Sequence, residues 1–120
     1  MATLLKNGRV IDGTGKVIEK GMVFIRDDLI TYVGSAKELR SSKKDTSFDL
    51  SGKTVLPGLI DAHVHLCLDG SPDPMTSLSK DSIPQLTLKA VQHARQTLEA
   101  GVTTVRDMGG KDYVDVAIRD

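Results

Sequence analysis

Two histidines separated by one residue are the most informative candidates for chemistry in this chain of 120 residues. His63 and His65 close an apolar, strand-like run that begins near residue 59. Because side chains at positions i and i+2 of a strand share a face, both imidazoles can point at one cation. The pair therefore predicts a metal site. The alternative is two surface histidines on an ordinary strand.

Asp61 has the same parity as the two histidines, which makes it a candidate partner for orienting one of them. Metal-ligating histidines usually donate their other ring N–H to a carboxylate or a carbonyl. The alternative is that Asp61 bonds the local backbone. Cys67 also keeps this parity and is a candidate thiolate ligand, unless it is simply buried.

The elements that must position these residues follow a strand–connection–helix–strand order after Pro57. Helix 83–100 is predicted from an apolar stripe at helical spacing, which consists of Leu86, Ala90, Val91, Ala94 and Leu98. Asp81 or Ser82 can cap its start and Gly101 its end. His93, at the edge of the stripe, is interpreted as a boundary residue. Residues 68–82 are predicted to form a loop, which is either a lid over a site or merely irregular.

Arg106 and Asp107 end the second predicted strand, the β-branched run at residues 102–105. We expect them to bind substrate or shape a site, or else to hold the rim of the fold through an ion pair or hydrogen bond. Gly109 and Gly110 follow, where a backbone could pass close to a ligand or turn.

Residues 2–55 predict a small β unit. Short strands are expected on either side of Asn7-Gly8 and Asp12-Gly13, followed by a hairpin around Asp27-Asp28. The polar stretch 35–47 predicts a solvated loop, or a helical turn over residues 36–40.

Composition indicates a globular protein, with 39% hydrophobic and 27% charged residues. Sixteen basic and sixteen acidic residues balance, so charge gives no case for binding nucleic acid or an anionic membrane, and a small-molecule substrate is the expected partner. We expect no secretory leader or membrane span, and because a single cysteine agrees with a reducing compartment, the expected location is the cytoplasm.

The string PGLIDAHVH at residues 57–65 resembles the signature of the metal-dependent amidohydrolase superfamily at the end of its first barrel strand. Residues 23–34, 49–58 and 101–110 resemble the small-domain hairpin, the crossing into the barrel, and the second barrel strand with its loop. Within the superfamily, the imidazolonepropionase-like and prolidase-like branch is the most similar.

The resemblance implies an α/β fold, in which the start of a metal-dependent (β/α)8 TIM barrel follows a small β-sandwich domain. The sandwich would occupy residues 1–55 and the first barrel units residues 56–120. Because such a barrel typically needs about 250 residues, we expect an N-terminal fragment that is inactive by itself. A fragment of this kind is expected to form a homo-oligomer or to associate with the remainder of its protein.

The activity that the resemblance implies is zinc-dependent hydrolysis of an amide or other C–N bond by metal-activated water. His63 and His65 would hold one or two zinc ions, or other divalent metals, with the remaining ligands on later strands. The expected substrate is an N-acyl amino acid, a dipeptide or a cyclic amide. Two alternatives stay open: a non-catalytic amidohydrolase-like interaction protein, and a small binding module without metal.

Overall fold

The computed structural model describes residues 2–35, 42 and 44–120. Its residues fall into two compact units, Met1–Pro57 and Gly58–Asp120. Sheets in both units and helices in the second make this a mixed α/β chain, as predicted. The identification of the two parts as a sandwich domain and the start of a barrel stays a prediction. No helix within the described ranges has the length and apolar character that a membrane crossing requires.

The first unit is built on one five-stranded sheet within its described residues. Its order is β3-β2-β1-β4, and β5 also pairs with β1. The strands are β1 (Ala2–Ile11), β2 (Val17–Arg26), β3 (Leu29–Ser35), β4 (Thr46–Asp49) and β5 (Thr54–Val55). Alternate apolar residues of β1 and β2 bury one face, and Ala2, Leu4, Met22 and Phe24 pack there as a core cluster.

The hairpin predicted around Asp27-Asp28 is confirmed. Both residues have positive φ, 50° and 64°, and they connect the antiparallel strands β2 and β3. The predicted break at Asn7-Gly8 is wrong, because β1 continues through it. The register with β2 shifts there and Asn7 takes a φ of 65°, so an irregularity of the β-bulge kind absorbs the turn signal. The predicted helical turn at 36–40 lies outside the described residues.

The second unit places two parallel strands against helices. It contains β6 (Leu59–Val64), α1 (Pro74–Lys80), α2 (Ile83–Glu99), β7 (Val102–Asp107), a 3-10 turn (Lys111–Tyr113) and α3 (Val114–Arg119). Its core cluster consists of Leu66, Cys67, Leu86, Ala90 and Val114, with Val64 and Val105 packed against it. Leu86, Ala90 and Ala94 of the predicted stripe thus pack α2 against this core, whereas Val91 and Leu98, also predicted in the stripe, are 50% and 60% exposed.

The predicted helix over residues 83–100 is confirmed with its ends. Ser82 precedes the first turn, and its backbone N–H and hydroxyl donate to Gln85 Oε1 at 3.1 and 2.7 Å. Gly101 follows the last turn with a φ of 95°. Asp81, the other predicted cap, instead accepts from Lys89 Nζ at 2.6 Å.

The prediction that residues 68–82 form only a loop is wrong, because the segment contains α1. Asp73 is its N-cap, accepting the backbone N–H of Thr76 at 3.2 Å, and Pro74 occupies its first position. An Asp-Pro start signal was present in the sequence, but the surrounding glycine, serine and proline residues obscured it.

Gly58 allows β6 to lie close to β7. A Cβ atom added at Gly58 would overlap Oγ1 and Cγ2 of Thr103 and come within 2.6 Å of the Thr103 Cβ. A change of the Thr103 rotamer cannot relieve the contact with that Cβ. The glycine in the PGLIDAHVH string therefore has a packing role independent of any ligand.

Leu86 is 0% exposed and central to the second unit's core. We expect Leu86→Ala to lower the free energy of unfolding by about 2–5 kcal/mol, because it leaves a cavity among well-packed side chains. Denaturant unfolding followed by circular dichroism measures this. Leu88, on the same helix but 73% exposed, is the matched control, and Leu88→Ala should change stability by less than about 0.5 kcal/mol. Equal effects of the two variants would contradict the described core.

Gly58→Ala should destabilise the protein by about 1–3 kcal/mol, because the new methyl group overlaps Thr103. Gly70→Ala is the control, since a Cβ there meets no atom within 4 Å. Chemical denaturation of both variants provides the measurement. A Gly58→Ala protein as stable as Gly70→Ala would show that the two strands do not approach this closely.

Candidate metal site

The structure brings His63 and His65 together at the carboxyl end of β6. His63 is the penultimate residue of the strand and His65 follows its last residue. Their ring centroids lie 5.4 Å apart with an interplanar angle of 71°. The strand geometry that the i, i+2 spacing predicts therefore places two imidazoles side by side.

The hydrogen bond of His65 determines which of its nitrogens can bind a metal. Its Nδ1 lies 2.9 Å from the carbonyl oxygen of Gly109. A carbonyl only accepts, so Nδ1 must carry the proton and donate it. In the neutral ring, Nε2 then holds an unprotonated lone pair. This arrangement, with one nitrogen bonded to a backbone carbonyl and the other available, is typical of metal-ligating histidines.

Asp107 fixes the loop that supplies this carbonyl. Its Oδ1 accepts the backbone N–H of Gly109 at 2.9 Å, and its Oδ2 accepts that of Leu66 at 3.0 Å. The N–H of Met108 bonds the carbonyl of Val64 at 2.9 Å, so the ends of β6 and β7 are joined beside His65. Asp107 therefore orders both of the chain segments next to His65.

The remaining sequence candidates take different places. Asp61 Oδ1 accepts the backbone N–H of His63 at 3.0 Å, which is the local bond foreseen as the alternative to orienting an imidazole. Arg106 is exposed on β7. Their roles at a site stay predictions.

Cys67 is buried in the core of the second unit, and His93 bonds the backbone of a core residue. Cys67 is 4% exposed, and burial raises the pKa of its thiol, which disfavours the thiolate that a metal requires. His93 Nδ1 lies 2.8 Å from the carbonyl oxygen of Leu66 and must donate to it. This bond ties α2 to the segment that follows His65.

Sequence reasoning did not identify Gly109 as the acceptor for His65. The two glycines suggested a close backbone approach or a turn, and Gly109 has a φ of 127°, a conformation that favours glycine. A backbone carbonyl leaves no side-chain signal, so only the strand pairing could locate it. Across the described ranges, no cluster of three or more His, Cys, Asp or Glu residues is arranged to hold a metal. The structure therefore brings two imidazoles together, and their role as metal ligands stays a prediction.

Comparisons with known proteins identify relatives of this chain. An imidazolonepropionase of Bacillus cereus (strain G9842) is 33% identical in an alignment of 118 positions, and the match covers 78% of this chain and 28% of that protein. An imidazolonepropionase of Bacillus thuringiensis (strain Al Hakam) is 32% identical over the same shares of the two chains. This chain therefore spans little more than a quarter of the length of these curated relatives.

Solved structures with similar folds include a molinate hydrolase, with a TM-score of 0.84 and 31% identity over 99% of this chain and 26% of that one. A Xaa-Pro dipeptidase with methionine bound in its active site has a TM-score of 0.81 and 31% identity, covering 100% of this chain and 29% of that one. The model of the amidohydrolase family matches residues 54–120, which include β6, β7 and both histidines. The chain belongs to the amidohydrolase family.

Proposed function

We propose that this chain contributes two metal ligands, His63 and His65, to an enzyme that hydrolyses an amide or other C–N bond. The observation that carries the proposal is the bond from His65 Nδ1 to the Gly109 carbonyl, which leaves Nε2 unprotonated beside the ring of His63. Family membership supports the reaction class. We propose zinc as the cofactor, as one or two ions, because two imidazoles form part of a common zinc ligand set.

The metal and the protein residues have separate tasks in this proposal. A bound divalent cation supplies Lewis acidity and an activated water at neutral pH. His63 and His65 hold the cation through neutral imidazoles, the Gly109 carbonyl fixes the His65 tautomer, and Asp107 orders the loop. Because catalytic zinc usually has three protein ligands, we propose that further ligands come from outside these residues.

The wider architecture supports a site at this end of the strands. We propose that the second unit is the beginning of a (β/α)8 barrel, preceded by a small β-sandwich domain. Active sites of such barrels lie at the carboxyl ends of the strands, where His65 and Asp107 are found.

The single cysteine is consistent with our proposal of a cytoplasmic enzyme.

For the substrate, we propose an N-acyl amino acid or a dipeptide, with a cyclic amide as the second candidate. The dipeptide is supported by similarity to a Xaa-Pro dipeptidase, and the cyclic amide by similarity to imidazolonepropionases. A hydrolysis screen of zinc-loaded, full-length gene product against these three classes tests the proposal. Turnover that a chelator abolishes and added zinc restores is the expected result. A purified protein that retains full activity without divalent metal would refute it.

Removing either imidazole should weaken zinc binding by more than about 100-fold. Changes to residues that only orient a ligand already cost about 10–100-fold, and a lost ligand costs more. Competition with a chromophoric chelator measures the affinity of His63→Ala and His65→Ala. The control is His93→Gln, whose amide can still donate to the Leu66 carbonyl. Unchanged affinity in both alanine variants would show that the metal binds elsewhere.

Asp107→Asn should weaken zinc binding by about tenfold while His63 and His65 remain in place. An asparagine offers one acceptor atom where the carboxylate accepts from both Leu66 and Gly109, so one of these two bonds is lost. The same chelator competition measures the change. Asp112→Asn, at an exposed position with a φ of 54°, is the control of equal charge change. A zinc affinity equal to that of the Asp112→Asn control would show that Asp107 does not help to position the metal ligands.

A further inference from the structure

A cleft beside His65 is lined by several apolar side chains that have no role in the proposed metal binding. It has a volume of about 340 Å³, within the range of small-molecule pockets. His65, Gly109 and Gly110 line one part of it, and the rest is lined by Cys67, Leu68, Met75, Leu78 and Lys111. We propose that this cleft receives an aliphatic acyl or side-chain group of the substrate, next to the scissile C–N bond. The inference rests on the proposed function.

The side chains of the cleft favour an apolar occupant. Leu68, Met75 and Leu78 contribute aliphatic or thioether surface, and Leu78 also packs against the core cluster of the second unit. Met75 is 62% exposed on α1, so a ligand there would remove apolar surface from water. Methionine is flexible and polarizable, which suits it to groups of variable shape.

Lys111 brings a positive charge to the cleft, but its ammonium group is already engaged. Its Nζ donates to the carbonyl oxygens of Leu78 at 3.3 Å and Asp81 at 3.4 Å. These carbonyls lie at and just after the carboxyl-terminal end of α1, where a cation also meets the negative end of the helix dipole. Lys111 therefore holds the carboxyl-terminal end of α1. Its ammonium group already has hydrogen-bond acceptors and needs no anionic ligand in the cleft.

Two carboxylates hold the first turn and the middle of α1 in place. Asp73 caps the first turn, and Asp69 Oδ2 accepts the hydroxyl of Ser77 at 2.8 Å. With Lys111 at the opposite end, the short helix is fixed along its length by side chains from outside it. These bonds fix α1 and so hold Met75 and Leu78 in place at the cleft wall. A rigidly held wall is needed to discriminate between substrates.

The test uses alkyl hydroxamates, whose hydroxamate group chelates zinc while the alkyl chain probes the space beside it. The zinc-loaded, full-length gene product is titrated by calorimetry with acetohydroxamate, butyrohydroxamate and hexanohydroxamate. We expect affinity to rise by about fourfold for each methylene that enters the cleft, the value for burying a CH₂ group. Because binding is measured directly, the substrate need not be known.

Met75→Ser should lower the affinity for hexanohydroxamate by about tenfold and leave that for acetohydroxamate unchanged, since only the longer chain reaches the cleft wall. Met75 is exposed, so this variant should fold normally. Leu88→Ser, an exposed apolar-to-hydroxyl change on α2 away from the cleft, is the matched control and should bind all three probes as the unaltered protein does.

The outcomes separate this inference from the function it rests on. Hydroxamate binding with the same affinity at every chain length, or with a length dependence that Met75→Ser leaves intact, would overturn the cleft assignment and retain the metal site. Failure of every hydroxamate to bind would refute both. Tighter binding of succinic monohydroxamate than of butyrohydroxamate would assign the cleft to an anionic group through Lys111, and would also overturn the inference.

Discussion

A neutral imidazole has one N–H, and the atom that receives it decides what the other nitrogen can do. In this chain the carbonyl of Gly109 receives the proton of His65 Nδ1 at 2.9 Å, so Nε2 keeps its lone pair. The position of that carbonyl depends in turn on Asp107, whose two oxygens hold Gly109 and Leu66. The orientation of His65 in the candidate site therefore depends on the carboxylate of Asp107.

This constraint explains why the second unit is built as it is. The carbonyl can reach His65 only if β6 and β7 run parallel and end together, and Gly58 permits their close approach at the opposite end. Behind the strands, α2 buries Leu86 and Ala90, and His93 bonds the Leu66 carbonyl. The packing of α2 against the ends of β6 and β7 thus positions His65 and Asp107 on the other side of these ends. The apolar strand residues Leu59 and Ile60 remain 56% and 73% exposed, so burial within this unit does not itself account for β6.

Much of this could be predicted from the sequence where signals were local and mutually consistent. The α2 stripe coincides with a serine cap and a terminal glycine, and the Asp27-Asp28 turn lies between β-branched runs, so periodicity and turn chemistry agreed. The proximity of His63 and His65 followed from strand parity alone. Local signals misled where tertiary pairing overrode them: Asn7-Gly8 became a bulge within a continuous strand because β2 pairs on both sides of it. The role of Gly109 could not be predicted, since a backbone acceptor is located only by the pairing of two distant strands.

The central claim is that His63 and His65 bind one metal through the nitrogens that the structure leaves free. Anomalous diffraction at the zinc absorption edge, from crystals of the zinc-loaded, full-length gene product, tests it most directly. We expect a zinc peak about 2.0–2.1 Å from the Nε2 atom of His65 and within the same distance of a His63 ring nitrogen, with the His65 Nδ1 bond to Gly109 retained. A zinc peak bound by other residues, with both imidazoles unligated, would contradict it.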